Sequence, residues 1–566
     1  MKFNGRKPNI LIFMVDEERY PVCYETDAVK EYCNKYLIAQ NLIRKTGIEF
    51  HRHYVASTAC TPSRTSFFTG QYPSLHGVTQ TDGLAKSAYD ADMYWLDPNT
   101  VPTLGDYFRT AGYRTFYKGK WHISHADILV PGTHQSLQIY DSNGNVIVEN
   151  VQKYAVANRL DDFGFSGWIG PEPHGPAKIN CGTNCDPLYA QEAIELLDRL
   201  EHEETESTSQ PKPWLLVNSY VNPHDIVLFA LQYLSFGYPM SDDTVPDIPE
   251  PRTENENLDT KPRCQTSYVK QYPKMLLPQP TIEIYRKFYY YLQKLADQQV
   301  LKVFDRLRNS IFFENTFVVF TSDHGEMLGA HGGMHQKWYN AYEESIHVPF
   351  IISNPVLFKE SKKVNALTSH VDVIPTLLGL ADIDVAEVQE ILSQDHTEVH
   401  RLVGRDLSGV VLGSQSPDNL KEPIYFMTDD EVSEGLNQTN PLLGFNYHSV
   451  VQPGHIETVI ATLNIERMEQ VWKYSRYFDN KEFWSNPPDS DNINIDGREI
   501  TKTQPIPDEF EMYNLSEDPL EECNLAHPSN QTPESEQIRK QLQKLLMEQC
   551  QQKRLTPRTR TTPSEV

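Results

Sequence analysis

The sequence is poor in cysteine and in basic charge, and each shortage excludes a class of protein. Eight cysteines spread over 566 residues are too few for a disulfide framework, so reduced thiols are expected. Lysine and arginine total 51 against 77 acidic residues, a formal net charge of −26. Nucleic acid and anionic membranes are therefore poor candidate partners.

Long apolar runs are also missing. The run over residues 10–15 ends at Asp16 and is shorter than a signal-peptide core. No other stretch approaches the roughly 18 to 20 apolar residues that cross a bilayer. We therefore expect no membrane partner and a cytoplasmic location. A hydrophobic content of 39% is nevertheless enough to bury substantial cores.

Short apolar runs alternate with amphipathic stretches along most of the chain, which predicts βα units around a mostly parallel central sheet flanked by helices. Helices are predicted over 103–111, 282–307 and 536–550. Two polar, proline-bearing stretches, 201–213 and 238–280, are interpreted as insertions. Because 566 residues exceed one ordinary core, we predict a catalytic α/β domain at 1–421, a smaller α+β domain at 422–555 and a disordered tail at 556–566.

Four strand-like runs from distant parts of the chain end in charged or imidazole side chains. In chain order, these residues are Asp16 and Glu17, Lys120 and His122, His224, and Asp323 and His324. Any one such ending is more often an ordinary solvated loop. Ligands of open α/β sheets bind at the carboxyl ends of the strands, so four endings with these residue types predict one shared site.

The run Cys-Thr-Pro-Ser-Arg at residues 60–64 is the strongest local pattern. Pro62 suits the first turn of a helix, which would place Cys60 at a helix amino terminus where unpaired amides attract anions. Arg64 would face the same spot one turn later. A lone cysteine before a helix is usually a small buried hydrophobe, but this longer string is much rarer.

Three other strings accompany this run: Gly-Tyr-Arg-Thr at 112–115, Gly-Lys-Trp-His at 119–122 and Glu-Met-Tyr-Asn-Leu at 511–515. Together they resemble the sulfatase family of the alkaline phosphatase superfamily over most of the chain. The resemblance implies an alkaline phosphatase-like fold and a hydrolase that cleaves a sulfate ester. It also implies that a formylglycine-generating maturation enzyme converts Cys60 to formylglycine, an aldehyde that hydrates to a geminal diol.

The family binds one divalent cation, and the resemblance carries its ligands over to Asp16, Glu17, Asp323, His324 and the modified Cys60. A carboxylate-rich set suits a hard ion, so Ca²⁺ is expected first, with Mg²⁺ and Mn²⁺ open. Glu17 stands where Asp or Gln is usual, and His324 where Asn is frequent. A histidine ligand at position 324 slightly favours Mn²⁺ over the other two ions.

The resemblance also implies the catalytic roles. Arg64 and the cation would help to ionise one hydroxyl of the diol, which attacks sulfur. Lys120 and Lys337 would stabilise charge on the sulfate oxygens. His224 would protonate the departing alcohol, and His122 would take a proton from the second hydroxyl.

Several alternatives stay open at the level of sequence. A phosphonate monoester or phosphodiester hydrolase of the same superfamily needs nearly the same anion site, and an inactive binding protein would keep the fold without the modification. His331 and His335 either touch substrate or satisfy their own glycine-rich loop. Sugar, aryl and alkyl sulfates are equally compatible, and no pattern indicates the oligomeric state.

Overall fold

The computed structural model describes residues 6–141, 145–173, 175, 177–206, 211–433, 435–495 and 498–558. Of the predicted tail at 556–566, residues 559–566 lie outside this set. Among the described residues, no helix combines the length and the apolar character that crossing a membrane requires.

A seven-stranded sheet forms the centre of the larger part of the chain. Its strands are β1 (Asn9–Asp16), β2 (Gly47–Tyr54), β3 (Arg114–Gly119), β4 (Trp214–Pro223), β5 (Thr316–Ser322), β6 (Phe350–Ser353) and β7 (Lys362–Ser369). They lie in the order β3-β4-β1-β5-β6-β2-β7. Only β6 runs antiparallel to its neighbours, so the predicted mostly parallel sheet is confirmed.

Helices cover both faces of this sheet. The described α-helices of seven residues or more are Asp27–Tyr36, Ile38–Lys45, Cys60–Thr69, Leu104–Thr110, Val148–Ala157, Gly182–Glu206, Arg263–Met275, Glu283–Arg308, Val373–Leu380, Val385–Leu392 and Pro533–Lys553. Every residue of β1 is buried, as expected of a central strand packed on both faces. Its side chains alternate between two hydrophobic clusters, one with Gly182–Glu206 and Glu283–Arg308, the other with Cys60–Thr69 and Val373–Leu380.

The C-terminal region contains a second, antiparallel sheet of four strands. They are β8 (Ile424–Thr428), β11 (His455–Ile465), β12 (Met468–Phe478) and β15 (Glu509–Asn514), and they lie in the order β15-β12-β11-β8. Two small hairpins accompany it, β9–β10 (Asn437–Thr439 and Asn446–His448) and β13–β14 (Asp491–Ile495 and Arg498–Lys502). The helix Pro533–Lys553 packs on the sheet, so the expected smaller α+β part is present.

Two stretches interpreted as insertions contain regular structure. Residues 201–206 continue the helix Gly182–Glu206, where Arg306 pairs with Asp198 and Glu201 of that helix. The stretch 238–280 contains the helix Arg263–Met275, with Pro273 in its last turn. Both stretches are therefore partly helical, and their interpretation as insertions stays a prediction.

Candidate active site

The four polar strand endings meet at one edge of the central sheet. Strands β3, β4, β1 and β5 are consecutive neighbours and run parallel, so their carboxyl ends lie side by side. The residues at these ends are Asp16, the last of β1, with Glu17 after it, Lys120 and His122 after β3, His224 after β4, and Asp323 and His324 after β5. Parallel pairing thus brings together side chains up to 308 positions apart, from residue 16 to residue 324.

Cys60 is the first residue of the helix Cys60–Thr69, whose first turn contains Pro62. Its side chain is buried, and its Sγ lies 3.0 Å from His324 Nε2 and 3.9 Å from Asp16 Oδ1. Burial, followed by the negative charge of Asp16, raises the pKa of the Cys60 thiol above its ordinary value. A protonated thiol is a weak nucleophile, so an unmodified Cys60 is poorly suited to attack an ester.

Cys60 and three neighbouring side chains form a cluster with metal-ligand chemistry. One ligand atom from each of Asp16, Cys60, Asp323 and His324 lies within 4.8 Å of all the others. The backbone N–H of Glu17 donates to Asp323 Oδ1 over 3.1 Å. Burial, together with the charge of Asp16, raises the pKa of Asp323 to about 7. Such mutual repulsion between carboxylates is what a divalent cation relieves.

Glu17 belongs to a second cluster with Asp16 and His224. Its backbone φ is 72°, in the left-handed region that few non-glycine residues adopt. Its Oε1 is buried without a hydrogen-bond partner among the described atoms. Burial raises the pKa of Glu17 well above its ordinary value, although Lys337 opposes this effect. One oxygen of the Glu17 carboxylate lies within 4.8 Å of ligand atoms of Asp16 and His224, which fits a site for a hard cation.

Arg64 and Lys120 form ion pairs with the carboxylates of the cluster, Asp16 and Asp323. The Arg64 guanidinium is fully buried and pairs with Asp323 at 2.7 Å and with Asp16 at 2.9 Å. Lys120 Nζ lies 2.6 Å from Asp16 Oδ2. Burial alone would raise the pKa of Asp16, but Lys120, with further contributions from His224 and Arg64, holds it well below its ordinary value. Asp16 is therefore a carboxylate at neutral pH.

Lys337 and His224 lie on the cavity side of Glu17. Lys337 Nζ is 3.3 Å from Glu17 Oε2, and His224 Nε2 is 4.0 Å from the same oxygen. Burial would lower the pKa of Lys337, but the charges of Glu17 and the other acidic groups raise it. Burial and the charge of Lys120 hold the pKa of His224 well below 6.5. A fixed cation and a neutral imidazole thus face the same space.

His122 is held by two side chains. Its Nε2 lies 2.6 Å from Asp82 Oδ1 and 3.2 Å from Thr61 Oγ1. Its backbone N–H and that of Trp121 donate to Glu172 Oε1 over 2.8 and 3.0 Å. The sequence analysis did not identify Asp82 or Glu172, because neither lies in a motif and both reach the site only through tertiary contacts.

His331 and His335, left open by the sequence, lie away from the cavity. His331 stacks on Tyr342 with ring centroids 3.6 Å apart, and its Nδ1 is 2.8 Å from Glu256 Oε2. His335 stacks on Tyr272. Both histidines are buried, and their contacts support the structural interpretation of the loop.

Cys60, Lys120, His122, His224 and Lys337 all line one cavity of about 620 Å³. This volume is within the range of small-molecule sites. The cavity therefore has buried cations, a histidine able to exchange a proton and a carboxylate cluster at one end, which is a suitable arrangement for binding and cleaving an anionic ester.

Comparisons with known proteins place the chain beside sulfatases. The family model described as Sulfatase matches residues 8–383. The "Uncharacterized sulfatase YidJ" of Escherichia coli (strain K12) is 28% identical over 401 residues, which cover 68% of this chain and 69% of that protein.

Two solved structures share the fold. A 2-O GAG sulfatase has a TM-score of 0.60 at 20% identity and covers 96% of this chain and 92% of its own. A phosphonate monoester hydrolase of Agrobacterium radiobacter has a TM-score of 0.54 at 16% identity and covers 96% of each chain.

Proposed function

Because this chain belongs to the sulfatase family, we propose that it hydrolyses a sulfate monoester at the Cys60 end of the cavity. The observation that carries the proposal is the meeting of Cys60, two buried lysines and a cluster of buried carboxylates at one edge of the sheet. A sulfate group needs positive charge, and the chain as a whole is strongly negative. The buried lysines supply that charge locally.

The proposal includes the conversion of Cys60 to formylglycine by a maturation enzyme. The raised pKa of the Cys60 thiol supports it, since the unmodified side chain stays protonated. Hydrated formylglycine would supply a hydroxyl nucleophile where the thiol cannot act. Arg64 and Asp16 surround this position, and they would orient the modified side chain.

The proposal also includes one divalent cation held by Asp16, Glu17, Asp323, His324 and the modified Cys60. Two overlapping clusters of ligand atoms, one with Cys60 and one with Glu17, and the raised pKa of Asp323 support such an ion. The cation would supply positive charge that lowers the pKa of a bound hydroxyl. Oxygen-rich ligation favours Ca²⁺, with Mg²⁺ open, and His324 also allows Mn²⁺.

The remaining roles belong to side chains of this chain. Lys120 and Lys337 would bind the sulfate oxygens and stabilise their charge during S–O cleavage. His224 would donate a proton to the departing alcohol oxygen. Asp82 fixes the ring of His122, and His122 would accept the proton that releases sulfate.

The test compares an aryl sulfate with an aryl phosphonate on protein co-expressed with a formylglycine-generating enzyme. Mass spectrometry of the peptide that contains Cys60 establishes the modification, and metal analysis establishes the bound ion. We expect a higher kcat/KM for the sulfate. A strong preference for the phosphonate would instead favour the activity named for the Agrobacterium radiobacter neighbour. Modified protein that cleaves neither ester would support a binding role.

A further inference from the structure

The end of strand β8 holds two separate segments that lead into the active site. Strand β8 ends at Thr428, and residues 429–431 follow it. Residues 428–431 contact the segment 58–59, which immediately precedes Cys60, and the segment 80–81, which immediately precedes Asp82. Cys60 and Asp82 both line the cavity. A strand of the C-terminal sheet therefore supports two groups of the site at once.

The first segment is held at the start of the helix Cys60–Thr69. Ala59 is the N-cap residue of that helix, and its backbone N–H donates to Asp430 Oδ2 over 3.0 Å. The first N–H groups of a helix have no acceptor within it, so this carboxylate supplies one. Thr428 Oγ1 donates to the Thr58 carbonyl over 2.5 Å. Both polar atoms of the peptide group before Cys60 are thus bound by one strand end.

The second segment is held by the other oxygen of the same carboxylate. The backbone N–H of Thr81 donates to Asp430 Oδ1 over 3.1 Å. The next residue, Asp82, has its Oδ1 2.6 Å from His122 Nε2. Asp430 therefore bridges the backbone before Cys60 and the backbone before the side chain that holds His122.

This bridge is buried and reinforced by neighbouring contacts. Asp430 is 3% exposed and Gln80 is 2% exposed. Gln80 Nε2 donates to the Asp429 carbonyl over 2.8 Å, and Gln80 Oε1 accepts from the Glu431 N–H over 3.1 Å. Lys86 Nζ donates to the same Oε1 over 2.6 Å. Because a buried donor that loses its acceptor carries a desolvation penalty, these contacts resist displacement of either segment.

We propose that Asp430 is a positioning residue whose two oxygens set the separation between Cys60 and the pair formed by Asp82 and His122. The proposal rests on the sulfate-ester activity proposed above and adds a residue to that site. Asp430 does not line the cavity, so it acts through the groups that it holds. Attack and proton transfer depend on the distance between the reacting atoms, and a displacement of about 1 Å can cost about 100-fold in rate.

The test replaces Asp430 by asparagine in formylglycine-containing holoenzyme. The amide has nearly the same shape, but its NH₂ group cannot accept, so one of the two backbone N–H groups loses its acceptor. We expect kcat to fall about 10- to 100-fold for an alkyl sulfate and for 4-nitrophenyl sulfate alike. KM should stay within about threefold, because Lys120 and Lys337 lie on other segments and keep their ion pairs. Rates are divided by formylglycine and cation content, which separates misplacement from incomplete loading.

Asp429→Asn is the matched control. Asp429 is a buried carboxylate on the same strand end, but its Oδ1 lies 2.9 Å from His455 Nδ1 and accepts from Asn480 over 3.2 Å. This variant should lose stability in urea unfolding and keep kcat within about twofold of wild type. A merely structural role for Asp430 would lower the stability of both variants and the kcat of neither. A kcat loss in Asp430→Asn no larger than in the control would therefore overturn the proposal and leave the sulfatase activity standing.

A second variant decides if Asp430→Asn is insoluble. Thr428→Val removes the hydroxyl that binds the Thr58 carbonyl and accepts from the Asp430 N–H over 3.2 Å. A loss of kcat above about threefold in this variant supports the proposal, and a smaller loss overturns it.

Hydrogen exchange decides if the wild type cleaves neither ester, in which case the proposed activity itself fails. Exchange is followed by mass spectrometry on the peptides that contain Ala59 and Thr81. Faster exchange of both peptides in Asp430→Asn than in Asp429→Asn supports the positioning role. Equal exchange in the two variants refutes it.

Discussion

His224→Ala should slow alkyl sulfates far more than activated aryl sulfates. An alcohol with a high pKa cannot leave as a free alkoxide without receiving a proton, whereas a nitrophenolate can leave unprotonated. His224 is placed for this donation, since it lines the cavity and its side chain is 26% exposed, the most open of the charged or imidazole groups around Glu17. Its partial exposure also means that the alanine variant should fold normally.

The size of the effect follows from the environment of the imidazole. General acid catalysis contributes on the order of 10² to 10⁴ in rate. Burial and the charge of Lys120 hold the pKa of His224 well below its ordinary value, so the neutral imidazole predominates at pH 7. We therefore expect a loss of about 10² to 10³ for an alkyl sulfate at pH 7, and less than about tenfold for 4-nitrophenyl sulfate.

The assay measures kcat/KM for both esters on wild type and variant between pH 5 and 8. The wild-type rate on the alkyl ester should rise as the pH falls towards the pKa of His224, and the variant should lack this rise. His125→Ala serves as a control, because His125 contacts Tyr89 and does not line the cavity. A uniform loss across both leaving groups would refute the general-acid role and indicate that His224 binds the sulfate oxygens.

Three further predictions follow from the same geometry. Cys60→Ala should abolish turnover and leave the circular dichroism spectrum unchanged; measurable hydrolysis of 4-nitrophenyl sulfate would contradict the role of Cys60. Chelation should inactivate the enzyme, and Asp323→Asn should lower cation affinity at least 10-fold in metal-binding titrations. Full activity after exhaustive dialysis would reject the ligand set. Although burial opposes it, pairing with Glu256 raises the pKa of His331 to about 9, so His331→Gln should cost about 3 kcal/mol of stability below pH 6.5. That difference should disappear as the pH rises through 9 in urea unfolding, and a pH-independent difference would show that the ion pair is not its source.

The sequence predicted the central sheet because its strands carry strong local signals. Strand β1 is a continuous apolar run that ends at a charged pair, and the structure places Asp16 at that end. The helices predicted at 103–111 and 282–307 differ from Leu104–Thr110 and Glu283–Arg308 by one residue at each end. Hydrophobic periodicity and the adjacent capping residues decide such elements locally.

Tertiary contacts decide what the sequence did not predict. Residues 201–206 are polar, but Arg306 of a neighbouring helix pairs with Glu201 and supports the helix there. Pro273 lies in the last turn of the helix Arg263–Met275, inside a stretch that the sequence did not predict to be helical. Asp82 and Glu172 belong to no recognisable motif. Asp82 contacts the His122 ring, and Glu172 accepts from the backbone of Trp121 and His122, only in the folded chain. The cytoplasmic location and the domain boundary at 421/422 stay predictions.

The turn at Asn440 lies in a part of the chain that lines the cavity but supplies none of the groups around Cys60. The groups around Cys60 come mainly from the strand ends of the central sheet. Leu442 and Tyr447, which line the same cavity, come from a hairpin more than 100 residues later. Substitutions at Leu442 or Tyr447 would therefore change the shape of the cavity while the carboxylates and lysines around Cys60 keep their own, separate supports in the central sheet.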